Sequence, residues 1–284
     1  RRLDELAEER KILGTRLEQL LRPSAVSAPL CVAERGNVTA VSSTAAKVAL
    51  FRNLFVGRTD VFPIRWENLK AGRAGYAPAC ANEWVTGVCG KPGVKCGACP
   101  NQAFIAMSDD VVESHLRGED RVRSRSDGTR DFVAGIYPLL PDETCHFLAA
   151  DFDGENWSRD ALAYLETCRL RGIPAALERS RSGDGGHVWI FFAEPVYARE
   201  VRQLDTMLLT ATMERRPEIG FASYDRLFPS QDTMPAGGFG NLIALPLQRR
   251  ARERGNSLFV DDDLRPFVDQ WAFLSSLRHL DRAT

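Results

Sequence analysis

No run of about 18 uncharged apolar residues occurs in the chain, and the opening residues RRLDELAEER alternate charge where a signal peptide has an apolar core. A hydropathy-defined membrane helix and a secretory leader are therefore not expected, and the chain reads as cytoplasmic. An excess of one charge is lacking too, since 37 Lys and Arg stand against 38 Asp and Glu for a formal net charge of −1. The molecule as a whole thus has no electrostatic case for binding nucleic acid, and any such case must rest on local clusters. Nothing points to an oxidising compartment or a thioredoxin-like pattern, which argues against disulfides and redox chemistry for the cysteines. An initial methionine is missing as well, and Arg1 leads us to expect a segment of a longer polypeptide.

What is present suits an enzyme-sized globular unit: 284 residues, 44% of them hydrophobic, can bury a large core. Residues 1–23 place Leu3, Leu6, Leu13, Leu17, Leu20 and Leu21 at helical spacing before Pro23, predicting an amphipathic helix. Residues 24–43 read as a connector and 44–284 as the folded domain. Ser43 or Thr44 can cap a helix carrying Val48, Phe51, Leu54 and Phe55, and VFPIRW (61–66) looks extended. FLAAD (147–151) is predicted as a buried strand, and Ser158 as the cap of a helix ending at Gly172. Two more strands follow at 174–180 and 187–192, then a helix over 197–214 and a fourth strand at 241–247. This strand-helix-strand-strand-helix-strand order is the split βαβ unit of ferredoxin-like and RNA-recognition folds. Right-handed crossovers place its first and third strands side by side and antiparallel, so Asp151 and Asp153 should meet His187 at one edge.

Asp151 and Asp153 stand two apart, and in an extended chain both point to the same face. Close carboxylates repel unless a cation lies between them, and oxygen ligands suit Mg²⁺ or Mn²⁺. A D-x-D at a strand end also serves as a turn or a cap. A two-metal site asks for a third carboxylate, for which Asp225 is the choice and Asp232 the reserve. The segment from Arg179 to His187 is a glycine-rich turn whose residues Arg179, Arg181, Ser182, Gly185, Gly186 and His187 could cradle a triphosphate through backbone N–H groups and arginine forks. Arg117, Arg121, Arg123, Arg125 and Arg130, and the group from Arg249 to Arg254, are interleaved with acids and read as solvated surface. Cys80, Cys89, Cys96 and Cys99 have C-x8-C-x6-C-x2-C spacing with glycines between them, which suits a structural Zn²⁺ held by four thiolates. Cys31, Cys145 and Cys168 read as core residues.

Together these elements resemble the archaeo-eukaryotic primase superfamily, with its D-x-D pair, S-x-H type element and late aspartate. The strings FLAADFD, ERSRSGDGGHVWIFF, SYDRLFPSQDTMPAGGFGNLIALPLQ and DQWAFL look closely like the primase domain of TOTE conflict-system proteins, over roughly residues 44–280. The resemblance implies an α+β catalytic core: an RRM-like module at about 145–250 and an N-terminal α/β module carrying the zinc-binding segment 80–99. It implies a template-dependent nucleotidyltransferase, a DNA primase or polymerase that releases pyrophosphate. Asp151, Asp153 and Asp225 would bind two Mg²⁺ or Mn²⁺ ions, and Ser182 and His187 the triphosphate, to which we add Arg179 and Arg181. Partners implied are a single-stranded DNA template, a primer, nucleoside triphosphates, and fused helicase or nuclease modules of a defence system. Two other readings stay open: a metal-dependent nuclease or phosphohydrolase, and a non-catalytic RRM-like single-strand binder using Trp189 and Phe191.

Overall fold

The computed structural model describes residues 38–68, 70–122, 131–219 and 222–281. The expected helix at 1–23, most of the connector, Cys31, and Arg123, Arg125 and Arg130 lie outside them. Ser43 caps α1 (Thr44–Leu54), its hydroxyl accepting from the Ala46 N–H at 3.2 Å, and Val48, Phe51 and Leu54 form the buried stripe. A hairpin of β1 (Pro63–Asn68) and β2 (Arg73–Pro78) follows, then the cysteine segment with a single 3₁₀ turn at Cys96–Ala98. Ser108 caps α2 (Asp109–Arg117), which Gly118 ends with a left-handed φ of 69°.

After the short β3 (Gly135–Ile136) the pattern becomes regular. It runs β4 (Thr144–Asp153), α3 (Trp157–Leu170), β5 (Ala176–Arg179), β6 (Gly185–Tyr197), α4 (Ala198–Arg215) and β7 (Tyr224–Phe228). The chain then makes β8 (Ile243–Ala244), α5 (Arg249–Arg252), β9 (Leu258–Val260) and α6 (Gln270–Ser275). The main sheet is antiparallel and ordered β7-β4-β6-β5-β9. As the crossover argument requires, β4 and β6 lie side by side, with Asp151 opposite His187.

Two expectations need correction. The strand expected at 241–247 shrinks to β8, which pairs with β3 outside the main sheet. Ile243, Leu245 and Leu247 are buried as core residues, but Pro246 has no N–H to donate and Leu247 takes a φ of 63°, so the ladder stops. The place beside β4 belongs instead to β7, whose apolar signal is weak because only its Leu227–Phe228 end is buried. The second correction is minor: α3 starts at Trp157, and its N-cap Asn156 makes no side-chain capping bond.

Both faces of the sheet are covered, which is why β4 and β6 read as almost unbroken apolar runs. On one face Leu148, Ala150, Phe152, Val188, Ile190 and Leu227 pack under residues of α3 and α4. On the other, Phe147, Ala149, Trp189, Phe191 and Phe228 pack with α1, α2, β1 and α6. Trp189 and Phe191 are 0% and 3% exposed, so no stacking platform is available on this strand. Cys145 and Cys168 are core residues as expected. Strand alternation then sets the site: Asp151 and Asp153 continue the Phe147–Ala149 face beyond the point where the apolar layer covers it.

Candidate active site

Register places one row of charged side chains across the sheet. Arg226 on β7 faces Asp151 on β4, Asp151 faces His187 on β6, and His187 faces Glu178 on β5. The signs alternate along the row, so each group is flanked by its opposite. The row immediately below, Phe228, Ala149, Trp189 and Ala176, is apolar and provides its floor.

Asp225 joins this face through a bulge. Arg226 is opposite Asp151, but Tyr224 is opposite Phe152, so Asp225 is the extra residue of β7. In regular alternation Asp225 would follow Phe152 to the far face; the bulge releases it while Tyr224 packs on Phe152 at 5.7 Å. Two tethers hold β7 in this register. The Asp153 N–H donates to Ser223 O at 2.7 Å, and buried Asp205 of α4 accepts from the hydroxyls of Tyr164 (2.8 Å) and Tyr224 (2.7 Å).

The result is a cluster in which carboxylate oxygens of Asp151, Asp153 and Asp225 all lie within 4.8 Å of one another. Burial of Asp151 raises its pKa to about 6; Asp153 and Asp225 push the same way, while His187 and Arg226 oppose them. Three hard oxygen donors at this spacing fit a divalent cation such as Mg²⁺ or Mn²⁺. Arg226 lies against the cluster, its Nε 2.5 Å from Asp225 Oδ2. Asp232, the reserve candidate, pairs instead with Arg202 at 2.8 Å and is not in the cluster.

His187 adjoins the triad, its Nε2 3.4 Å from Asp151 Oδ1 and its Nδ1 2.8 Å from Glu178 Oε2. Burial alone would lower its pKa, but the charge and hydrogen bond of Glu178, with Asp151 and Asp153 behind them, raise it to about 8. Sequence reasoning missed Glu178 and Arg226. The signal for Glu178 was a carboxylate inside the apolar run PAALERS, opposite His187 across a short hairpin.

The other turn residues divide. Ser182 is exposed at the tip, its Oγ 3.0 Å from Ser180 Oγ. Arg179 is turned away from the triad: its guanidinium donates to the carbonyls of Gly255 (3.0 Å) and Leu264 (2.7 Å), anchoring the β9 side. Arg181 lies against the hydroxyl of the half-buried Tyr76 of β2. Gly185 and Gly186 serve packing. A Cβ at Gly185 would collide with Asp153 Oδ1, and one at Gly186 with the Trp157 ring. Arg117 pairs with Glu113 and Arg121 with Glu119, as solvated residues do.

Cys80, Cys89, Cys96 and Cys99 line a single pocket as free thiols. Backbone N–H groups of Lys91 and Trp84 hold the Cys89 thiol below its ordinary pKa. Among the described residues only the acidic triad gathers three ligand atoms within 4.8 Å; the thiols do not.

Fold and site together define an α+β domain whose antiparallel sheet carries, at one edge, a carboxylate triad suited to divalent metal beside a buried histidine. The family model described as the archaeo-eukaryotic primase domain of the TOTE conflict system matches residues 46–284, and the chain belongs to that family. No curated protein matches the chain. Among the described residues no helix is long and apolar enough to cross a membrane.

Proposed function

We propose that this domain is a template-dependent nucleotidyltransferase that joins nucleoside triphosphates on single-stranded DNA with release of pyrophosphate. The observation that carries the reading is the convergence of Asp151, Asp153 and Asp225 within 4.8 Å, next to His187, in a chain of the primase family. Two Mg²⁺ or Mn²⁺ ions bound there would make a 3′-hydroxyl more acidic and neutralise charge on the departing pyrophosphate. The protein's own part is positioning. The three carboxylates hold the metal ions, His187 Nε2 and the Ser182 hydroxyl meet the triphosphate, and Arg181 adds charge near the turn. Arg179 is withdrawn from the phosphate-binding set, because its guanidinium is engaged by two carbonyls.

In this reading β4 to β7 with α3 and α4 form an RRM-like module, whose strand order β7-β4-β6-β5 matches that of a split βαβ sheet. The cysteine segment is a structural Zn²⁺ site, supported by the shared pocket and the lowered Cys89 thiol. Cytoplasmic location and action beside helicase or nuclease modules belong to the same proposal.

The test is incubation of the domain with single-stranded DNA, α-labelled nucleotides and Mg²⁺ or Mn²⁺, with and without primer, beside an Asp151→Ala/Asp153→Ala variant. Labelled product that disappears in the variant is expected. Shortening of the template with no incorporation would replace this reading with a nuclease. Binding with neither activity would leave a non-catalytic single-strand binder.

A further inference from the structure

Glu178 lies beneath the site, 1% exposed, and neither the metal nor the phosphate roles above use it. A carboxylate at that depth is unfavourable unless its oxygens are bonded. Its Oε2 accepts from Trp189 Nε1 at 3.0 Å and is 2.8 Å from His187 Nδ1, while Ser257 Oγ donates to Oε1 at 3.5 Å. An indole N–H can only donate, so Oε2 is an acceptor, and the second bond to it is a donation from Nδ1–H. Nδ1 therefore carries a proton in the neutral and the charged ring alike, and Nε2 is the nitrogen turned toward Asp151, an N–H donor whenever the ring is charged. β5 cannot easily shift this arrangement, because it is paired on both sides: Glu178 is opposite His187 on β6 and Phe259 on β9. Trp189 closes the remaining side of the ring, edge-on at 5.9 Å.

We propose that Glu178 is a positioning residue that fixes the orientation of the His187 ring and holds a proton on Nδ1, presenting Nε2 to the nucleotide side of the carboxylate triad. What Nε2 meets rests on the nucleotidyltransferase reading; the state of the ring rests on geometry alone. In metal sites, the carboxylate behind a working histidine commonly contributes about 10–100-fold in affinity or activity, and a comparable effect is expected here on nucleotide use. Glu178→Gln keeps an acceptor oxygen in place for both donors, whereas Glu178→Leu keeps the volume and removes the acceptor.

The experiment has two readouts. The first is the ¹⁵N spectrum of the histidine rings in the metal-free protein, followed with rising pH until the His187 ring is neutral, with its signals assigned by their loss in His187→Asn. Wild type and Glu178→Gln should show His187 protonated at Nδ1, and Glu178→Leu should lose that single form. The second is the nucleotide KM and kcat of incorporation. KM should rise about tenfold or more in Glu178→Leu with a smaller change in kcat, and Glu178→Gln should restore most of it. A wild-type ring protonated at Nε2 would overturn the inference, as would a Glu178→Leu protein with wild-type KM. If Glu178→Leu does not fold, the wild-type and Glu178→Gln ring spectra decide. If wild type incorporates no nucleotide, the proposed function falls, and the ring spectra still decide the role of Glu178.

Discussion

Asp151 is where burial and repulsion meet most sharply, and its own stability signature follows. Its folded pKa is raised to about 6, so the folded state holds the proton more tightly than the unfolded chain does. That contribution is complete below about pH 4 and is lost as pH rises through about 6. At neutral pH the ionised Asp151 is therefore a net cost, on the order of 3 kcal/mol. Asp151→Asn should stabilise the metal-free protein by that order at about pH 7.5 in a denaturant titration, while abolishing incorporation. A less stable variant would show that Asp151 is held by its partners rather than strained by them. Cation binding has the opposite sign, since a ligand must be deprotonated: Mn²⁺ affinity should climb as pH passes through about 6. A flat affinity between about pH 5 and 8 would remove Asp151 from the ligand set. Asp151 and Asp153 were legible in the sequence because residues two apart on a strand share a face. Glu178 was not, because its role depends on cross-strand register, which no local spacing encodes.

Among the elements, β7 and the β5–β6 hairpin decide whether the carboxylates converge. Most of the sheet was readable: apolar strands β4 and β6 buried on both faces, and the helices between them, announce themselves by period and composition. β7 did not, because Tyr224, Asp225 and Arg226 carry chemistry and only the last two residues are buried. Its bulge is invisible in sequence, so the face to which Asp225 points could not be read from alternation. The apolar segment 241–247 competed for the same place in the sheet and is core without being strand. The glycines of the hairpin also provide space. Gly185→Ala should place a methyl where Asp153 Oδ1 and Phe152 O now lie. It should cost about 1–3 kcal/mol of stability and weaken Mn²⁺ binding, both measured on the purified variant. Wild-type Mn²⁺ affinity in Gly185→Ala would mean that Asp153 needs no such space.

Among the described residues two apolar layers flank the main sheet, and the charged row emerges where the second layer stops. Membership of the primase family was readable from the long strings, whereas composition and a net charge of −1 pointed to no partner at all. The cysteine segment is flanked by Ala79 and Ile105, which pack in the layer opposite α3 and α4. Metal analysis of the purified domain should find about one zinc per chain, and Cys99→Ser should lose it together with thermal stability. A zinc-free protein of unchanged stability would leave the four thiols as ordinary residues. In the proposed function three carboxylates from two strands act as one metal-holding unit for nucleotide joining. Incorporation of α-labelled nucleotide by Asp225→Ala beside Asp232→Ala tests it most directly. Asp225→Ala should lose at least about a hundredfold, and Asp232→Ala should incorporate near-normally. Full incorporation by Asp225→Ala would contradict it.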